Sequence, residues 1–211
     1  KLIIALPYIT RLQGRNFIQN NKDIIFNQDF DGYMFRNLEA YKLFEDMNIP
    51  RKYTVFDNTI YGMNNYSVEF LNEYKPDLIT ASYELNKEEL KYIKNYKMEL
   101  NVYGYIPVMI SAGCIKKSYN KCNKKDEIIH IKDRLGNMFM VNNHCDYCYN
   151  VIYNSIPLYI YDLIEKDKDK DIKPLAIRYN FINESSKEIE SILSGNTVEK
   201  YTRGHFKRGV E

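Results

Sequence analysis

The chain has 211 residues, 45% of them hydrophobic and 27% charged, which is enough apolar material for a substantial core and unlike a disordered or membrane-embedded segment. Lys and Arg (30) nearly balance Asp and Glu (28), so a formal charge of +2 supplies no global drive towards nucleic acid. No apolar run approaches the roughly 20 residues needed to span a bilayer and no signal-peptide pattern is present, so the sequence reads as cytoplasmic, with no membrane partner.

Lys1 leads directly into the apolar run LIIAL (2–6), and an opening inside a strand without Met reads as a piece of something longer. Five further candidate strands follow: GYMFR (32–36), YTVF (53–56), LITAS (78–82), NVYGY continuing to VMIS (101–111) and LAIRY (175–179). Their continuous apolarity predicts burial on both faces, and their alternation with amphipathic segments predicts strand–helix units feeding a parallel sheet. Two helix starts are legible as capping boxes: Asn86 with Glu89 ahead of Leu90 and Ile93, and Ser185 with Glu188 ahead of Ile189, Ile192 and Leu193. Gly195 is placed to end the second helix.

The alternation breaks after Cys114. EIIHIKDRLGNMFMV (127–141) has two strand-like runs around Arg134, Leu135 and Gly136 and predicts a β-hairpin. VIYNSIPLYIYDLIE (151–165) reads as helical despite Pro157, and KDKDKDIK (166–173) as a solvated charged loop. The fold class expected is α/β: a TIM-barrel-like or partial (β/α) barrel, or an open doubly wound sheet, with a Cys-bearing β-hairpin insertion over 114–150 in a single domain over 1–211. Either sheet type places functional loops at the carboxyl ends of the strands, where Asp57, Glu84 and Cys114 fall.

All four cysteines, Cys114, Cys122, Cys145 and Cys148, lie within that one segment, the hairpin between the two pairs. Thiolates are soft ligands for zinc and iron–sulfur centres, and a structural disulfide is disfavoured in a reducing cytosol. Zinc ribbons use a short knuckle at both ends, which the seven-residue gap between Cys114 and Cys122 fits poorly; a 4Fe-4S cluster needs only four converging thiolates. A thioredoxin-like dithiol at Cys145 and Cys148 leaves the other pair unexplained, and small apolar packing is the bland reading. Lys116, Lys117, Lys121, Lys124 and Lys125 offset the charge of a thiolate centre, line a groove for an anionic partner such as RNA, or belong to a solvated loop. His144 is a substitute ligand beside Cys145.

YGYIPVMISAGC with a second Cys, IKDRLGNMFMV, a Cys-bearing segment ending VIYNSIPL, LAIRYNF and the terminal YTRGHFKRGVE together resemble the collagenase-like peptidase family of unclassified catalytic type, peptidase family U thirty-two. ALPYI, FDNTIYGMNNYSVEFL and TASYELNKEEL extend the likeness over nearly the whole chain. The resemblance implies a TIM-barrel-like domain of which this chain is the C-terminal part. It also implies either peptidase activity or oxygen-independent hydroxylation of RNA bases or of a small aromatic quinone precursor, with a 4Fe-4S cluster on four cysteines. Cluster-binding members place their last cysteine farther downstream than Cys148. An RNA or peptide substrate and a protein partner of the same family are the partners implied.

For proteolysis the chain offers no His-Glu-x-x-His zinc motif and no Gly-x-Ser-x-Gly elbow. Asp57 and Glu84 match acidic positions in the family pattern; each is a catalytic candidate or a cap for the next helix. Arg178, inside an apolar run, points towards the barrel mouth or pairs with a carboxylate, Glu84 being the partner to test, and with His205 it joins the catalytic candidates. In the terminal motif Arg203 and His205 are candidates for an anionic substrate group or for docking the tail, and Tyr61 and Asn64 are weaker candidates of the same kind.

Overall fold

The computed structural model describes residues 1–27, 29–120, 122–166, 171–196 and 198–209, and the chain is a mixed α/β protein. In chain order the elements begin with β1 (Ile3–Ala5), α1 (Leu12–Asn20), α2 (Lys22–Asn27), β2 (Gly32–Phe35), α3 (Leu38–Asp46) and β3 (Tyr53–Phe56). There follow α4 (Asn65–Glu73), β4 (Leu78–Thr80), α5 (Lys87–Tyr92) and β5 (Met98–Gly104). The third stretch holds β6 (Pro107–Ser111), α6 (Ile115–Ser118), β7 (Glu127–Lys132), β8 (Met138–His144) and β9 (Tyr149–Tyr153), and the last holds β10 (Leu158–Tyr159), α7 (Tyr161–Glu165), β11 (Ala176–Asn180) and α8 (Ser186–Leu193).

These elements pack into two compact units, each made of two chain segments. One comprises Lys1–Ile60 with Pro107–Ser155, the other Tyr61–Ile106 with Ile156–Glu211.

In the first unit β1, β2 and β3 run parallel, as expected from their apolar runs. Tyr33 and Phe35 project from β2 onto Phe44 of α3, with ring centroids 5.0 and 5.2 Å apart in edge-to-face geometry, and Tyr41 closes on Phe56 at 5.5 Å. The helix is held at its start by Asn37, whose side chain accepts from the Ala40 amide at 2.7 Å. A separate antiparallel sheet, ordered β6–β9–β8–β7, carries the predicted hairpin, with β7 and β8 in register from Glu127↔Asn143 to Lys132↔Met138.

In the second unit β5 lies parallel to β4 and β11 and antiparallel to β10. Every residue of β4 and β5 is buried, as continuous apolarity predicts, whereas β11 is largely half-exposed. Leu100, Val102, Leu158, Ile160 and Phe206 pack in its core. Both predicted capping boxes form, at Asn86 with Glu89 and at Ser185 with Glu188, and Gly195 follows the second helix at φ +82.

Three expectations are corrected. VIYNSIPLYIYDLIE is not a helix: its first part is β9, whose β-branched and aromatic residues pair between β8 and β6, and only Tyr161–Glu165 is helical. VMIS does not continue the parallel strand. Gly104 stands at φ +140 with Asn180 O only 2.5 Å from where a Cβ would sit, so the chain turns there and β6 joins the antiparallel sheet. Finally, β5 begins at Met98, three residues before the predicted strand. Of the charged loop 166–173, residues 167–170 lie outside the described residues, as do Lys121 and the last two residues of the terminal motif.

Candidate thiol-lined site

Cys114 is the N-cap residue of the one-turn helix α6, and Cys145 to Cys148 form the turn that joins β8 to β9. The Cys145 amide donates to Asp126 Oδ1 at 2.6 Å and its thiol to the Lys125 carbonyl at 3.1 Å, so the turn is tied to the loop that precedes β7. The Cys148 amide donates to Cys145 O at 3.3 Å, and Cys148 itself occupies the left-handed region at φ 56. All four cysteines are free thiols, and all four line one cavity of about 640 Å³ together with Asn143, His144, Asn150 and the rings of Phe17 and Tyr149.

The loop between the cysteine pairs is organised by Lys116, a buried residue. Its ammonium donates to Lys125 O at 2.8 Å, to Asn123 Oδ1, and to Glu127 Oε1 at 2.8 Å. The Glu127 carboxylate raises the lysine's pKa, and the ammonium lowers that of Glu127. Lys116 is therefore committed to internal acceptors, while Lys117 and Lys124 line the cavity. Burial raises the Cys145 thiol pKa, against the pull of Lys116. Burial likewise holds the His144 imidazole below its usual value, and the ring stacks on Tyr149 at 4.7 Å. The Tyr149 hydroxyl accepts from the Tyr8 amide at 3.3 Å, and burial pushes its pKa up to about 12.

Four soft sulfur donors on one cavity, all reduced, match the donor chemistry of a thiolate-held metal or cluster. Among the described residues, no group of three or more His, Cys, Asp or Glu side chains is drawn together closely enough to hold a metal ion. The donor types suit such a centre, and closing it would bring the sulfurs nearer one another than they lie here.

The other candidates lie elsewhere. Asp57, at the carboxyl end of β3, is buried and accepts from Arg36 Nε at 3.1 Å and from the Asn58 amide at 3.0 Å. Arg36 also stacks over Tyr8 at 4.1 Å. In the second unit Arg178 pairs with Glu99 at 3.4 Å and donates from Nε to Asn101 Oδ1 at 2.6 Å; its expected partner Glu84 is exposed instead. Glu99 also accepts from Thr80 at 2.7 Å. The Arg203 guanidinium meets both oxygens of Asp162, donates to Tyr159 O at 2.7 Å and to Tyr201 Oη at 3.1 Å, which docks the terminal motif. His205 Nδ1 donates to Gly209 O at 2.8 Å within the same turn, a bond that fixes its tautomer. Asn64 forms a capping box with Ser67 at the start of α4, and Tyr61 is exposed at φ 62.

Sequence reasoning passed over Asn143, Asn150, Glu99 and Arg36. A polar residue alternating with apolar ones inside a strand was the available signal for the first two. Comparison of the chain with protein-family models, with curated proteins and with solved structures finds no match.

Proposed function

We propose that the chain is an iron–sulfur enzyme or enzyme subunit, similar to the collagenase-like peptidase family, that hydroxylates RNA or a small aromatic substrate without molecular oxygen. The observation that carries this reading is that all four thiols line one cavity. Cys114, Cys122, Cys145 and Cys148 would hold a 4Fe-4S cluster, and when bound it supplies electron transfer. Lys116 holds the ligand-bearing loop by its three acceptors, and its positive charge opposes the rise that burial imposes on the Cys145 thiol pKa. The parallel strands of each unit, with Asp57 after β3, support a partial (β/α) barrel with the cysteine hairpin as its insertion.

Anaerobic purification followed by iron and acid-labile sulfide analysis tests it. The expected result is a brown protein with both elements, lost in Cys145→Ser. A colourless, iron-free protein overturns the reading, and stoichiometric zinc in that preparation would assign a zinc-stapled binding scaffold. Gelatin or peptide cleavage abolished by a single substitution would assign a metal-dependent peptidase instead.

A further inference from the structure

The second unit has a cavity of its own, of about 440 Å³, where the parallel strands β5 and β11 end beside α8. The carboxyl ends of parallel strands are where α/β sheets take ligands. Tyr103 and Tyr105 give the cavity an aromatic wall and Ile192 and Val198 an apolar one, while Glu184, Glu188 and Glu199 bring three carboxylates against the single ammonium of Lys200. It shares no residue with the thiol-lined cavity.

Two of the carboxylates are held in place by the fold. Glu184 Oε2 accepts from the amides of Ile182 and Asn183 at 2.6 and 3.1 Å, and its Oε1 accepts from the Tyr103 hydroxyl at 2.9 Å. Glu188 Oε2 accepts from the Ser185 amide and hydroxyl, both at 2.7 Å, in the capping box of α8. In both residues Oε2 is engaged twice, whereas Oε1 keeps acceptor capacity. Glu184 is half-buried and Glu188 exposed, so that capacity is open to a ligand. Burial raises the pKa of both phenols, and the two carboxylates raise it further, so their negative potential reaches the aromatic wall.

Charge and lining narrow the ligand. The N-terminus of α8 adds only about half a positive charge to that of Lys200, so three carboxylates leave the cavity negative and repel a phosphate or a carboxylate. Among the described residues no group of His, Cys, Asp or Glu side chains is drawn together closely enough for a metal ion. An organic cation suits the same lining: tyrosine faces attract it, Oε1 of each fixed carboxylate accepts its N–H hydrogens, and Ile192 and Val198 cover an aliphatic stem.

We infer that the cavity at the ends of β5 and β11 is a binding site for a guanidinium or primary ammonium ion on an aliphatic stem, the chemistry shared by a free base and by the arginine or lysine side chain of a peptide. Tyr103 and Tyr105 form its aromatic wall, and Glu184 and Glu188 are its charge partners. The site lies in the other unit from the thiols, so it stands independently of what they hold.

The full chain, titrated at low salt with propylguanidinium and with its uncharged isostere propylurea and followed by protein-observed NMR, tests this. Propylguanidinium is expected to bind saturably with shifts at Tyr103, Tyr105 and Glu184, and propylurea about tenfold or more weakly. Glu188→Gln should weaken propylguanidinium about fivefold, since Gln can keep the capping box while the charge is removed. If that variant does not fold, the comparison of the two probes on the unaltered chain decides. A blocked arginine, Nα-acetylarginine N-methylamide, separates the sources: binding tighter than that of propylguanidinium assigns a peptide side chain, and equal or weaker binding a free base. Absence of saturable propylguanidinium binding, equal affinity for propylurea, or unchanged affinity in folded Glu188→Gln overturns the inference.

Discussion

Arg178 Nε donates to Asn101 Oδ1 at 2.6 Å across paired strands β11 and β5, and the same guanidinium reaches Glu99 at 3.4 Å. The Glu99 and Arg178 side chains are 10% and 17% exposed, so the pair is mostly desolvated. Removing one partner of such a pair strands the other charge. Arg178→Met is expected to lower stability by about 3 kcal/mol, read as a shift of the urea midpoint. Combining it with Glu99→Leu should cost less than the two single losses added together. Additive losses would mean that the two charges do not support each other.

The Arg203 guanidinium holds the Asp162 carboxyl below its ordinary pKa by hydrogen bonding, with burial opposing the effect. The folded value lies below the unfolded one. The pair's stabilisation is therefore complete above the unfolded carboxylate value of about 4 and is lost as pH falls through the folded value. Thermal melts between neutral pH and about pH 3 should show this acid limb, and Asp162→Asn should flatten it while lowering stability at pH 7 by about 2 kcal/mol. An acid limb unchanged in the variant would place the titration on another carboxylate.

Asn64 accepts from the Ser67 amide at 2.9 Å as the cap of α4. Asn64→Ala should cost about 1 kcal/mol in chemical denaturation, and Asn64→Ser should recover most of that. A variant that keeps full stability yet loses ligand binding would return Asn64 to the role of a substrate contact.

If the thiols close around a metal or cluster, the ligand-bearing loops gain most. Hydrogen exchange on loading should slow over residues 114–125 and 145–148 and change little in β2 and β3, which have their own aromatic core. Uniform slowing throughout the chain would point to global stabilisation rather than local closure.

How much of this was legible beforehand depended on whether the cause was local. The capping boxes at Asn86 and Ser185 act within one helical turn, so four adjacent residues suffice to recognise them. The strand character of Tyr149–Tyr153 lies in partners on β8 and β6, and its helical appearance came from ignoring them. Glu99 was hidden because the strand was begun at Asn101, which left the true counter-charge of Arg178 outside any element and gave the role to Glu84. The four thiols were found by proximity in sequence.

The interleaving of the two units sets a timetable for synthesis. Residues 1–60 leave the ribosome well before their counterpart at 107–155, and the other unit waits for the segment that starts at Ile156. At about 5–20 residues per second the opening strands spend seconds without the segment that completes their unit. During that interval the edges and aromatic faces of β1 to β3 are open to chaperones and to other nascent chains. A circular permutant that joins the two segments of one unit would shorten the wait, and its yield at elevated temperature would measure what the delay costs.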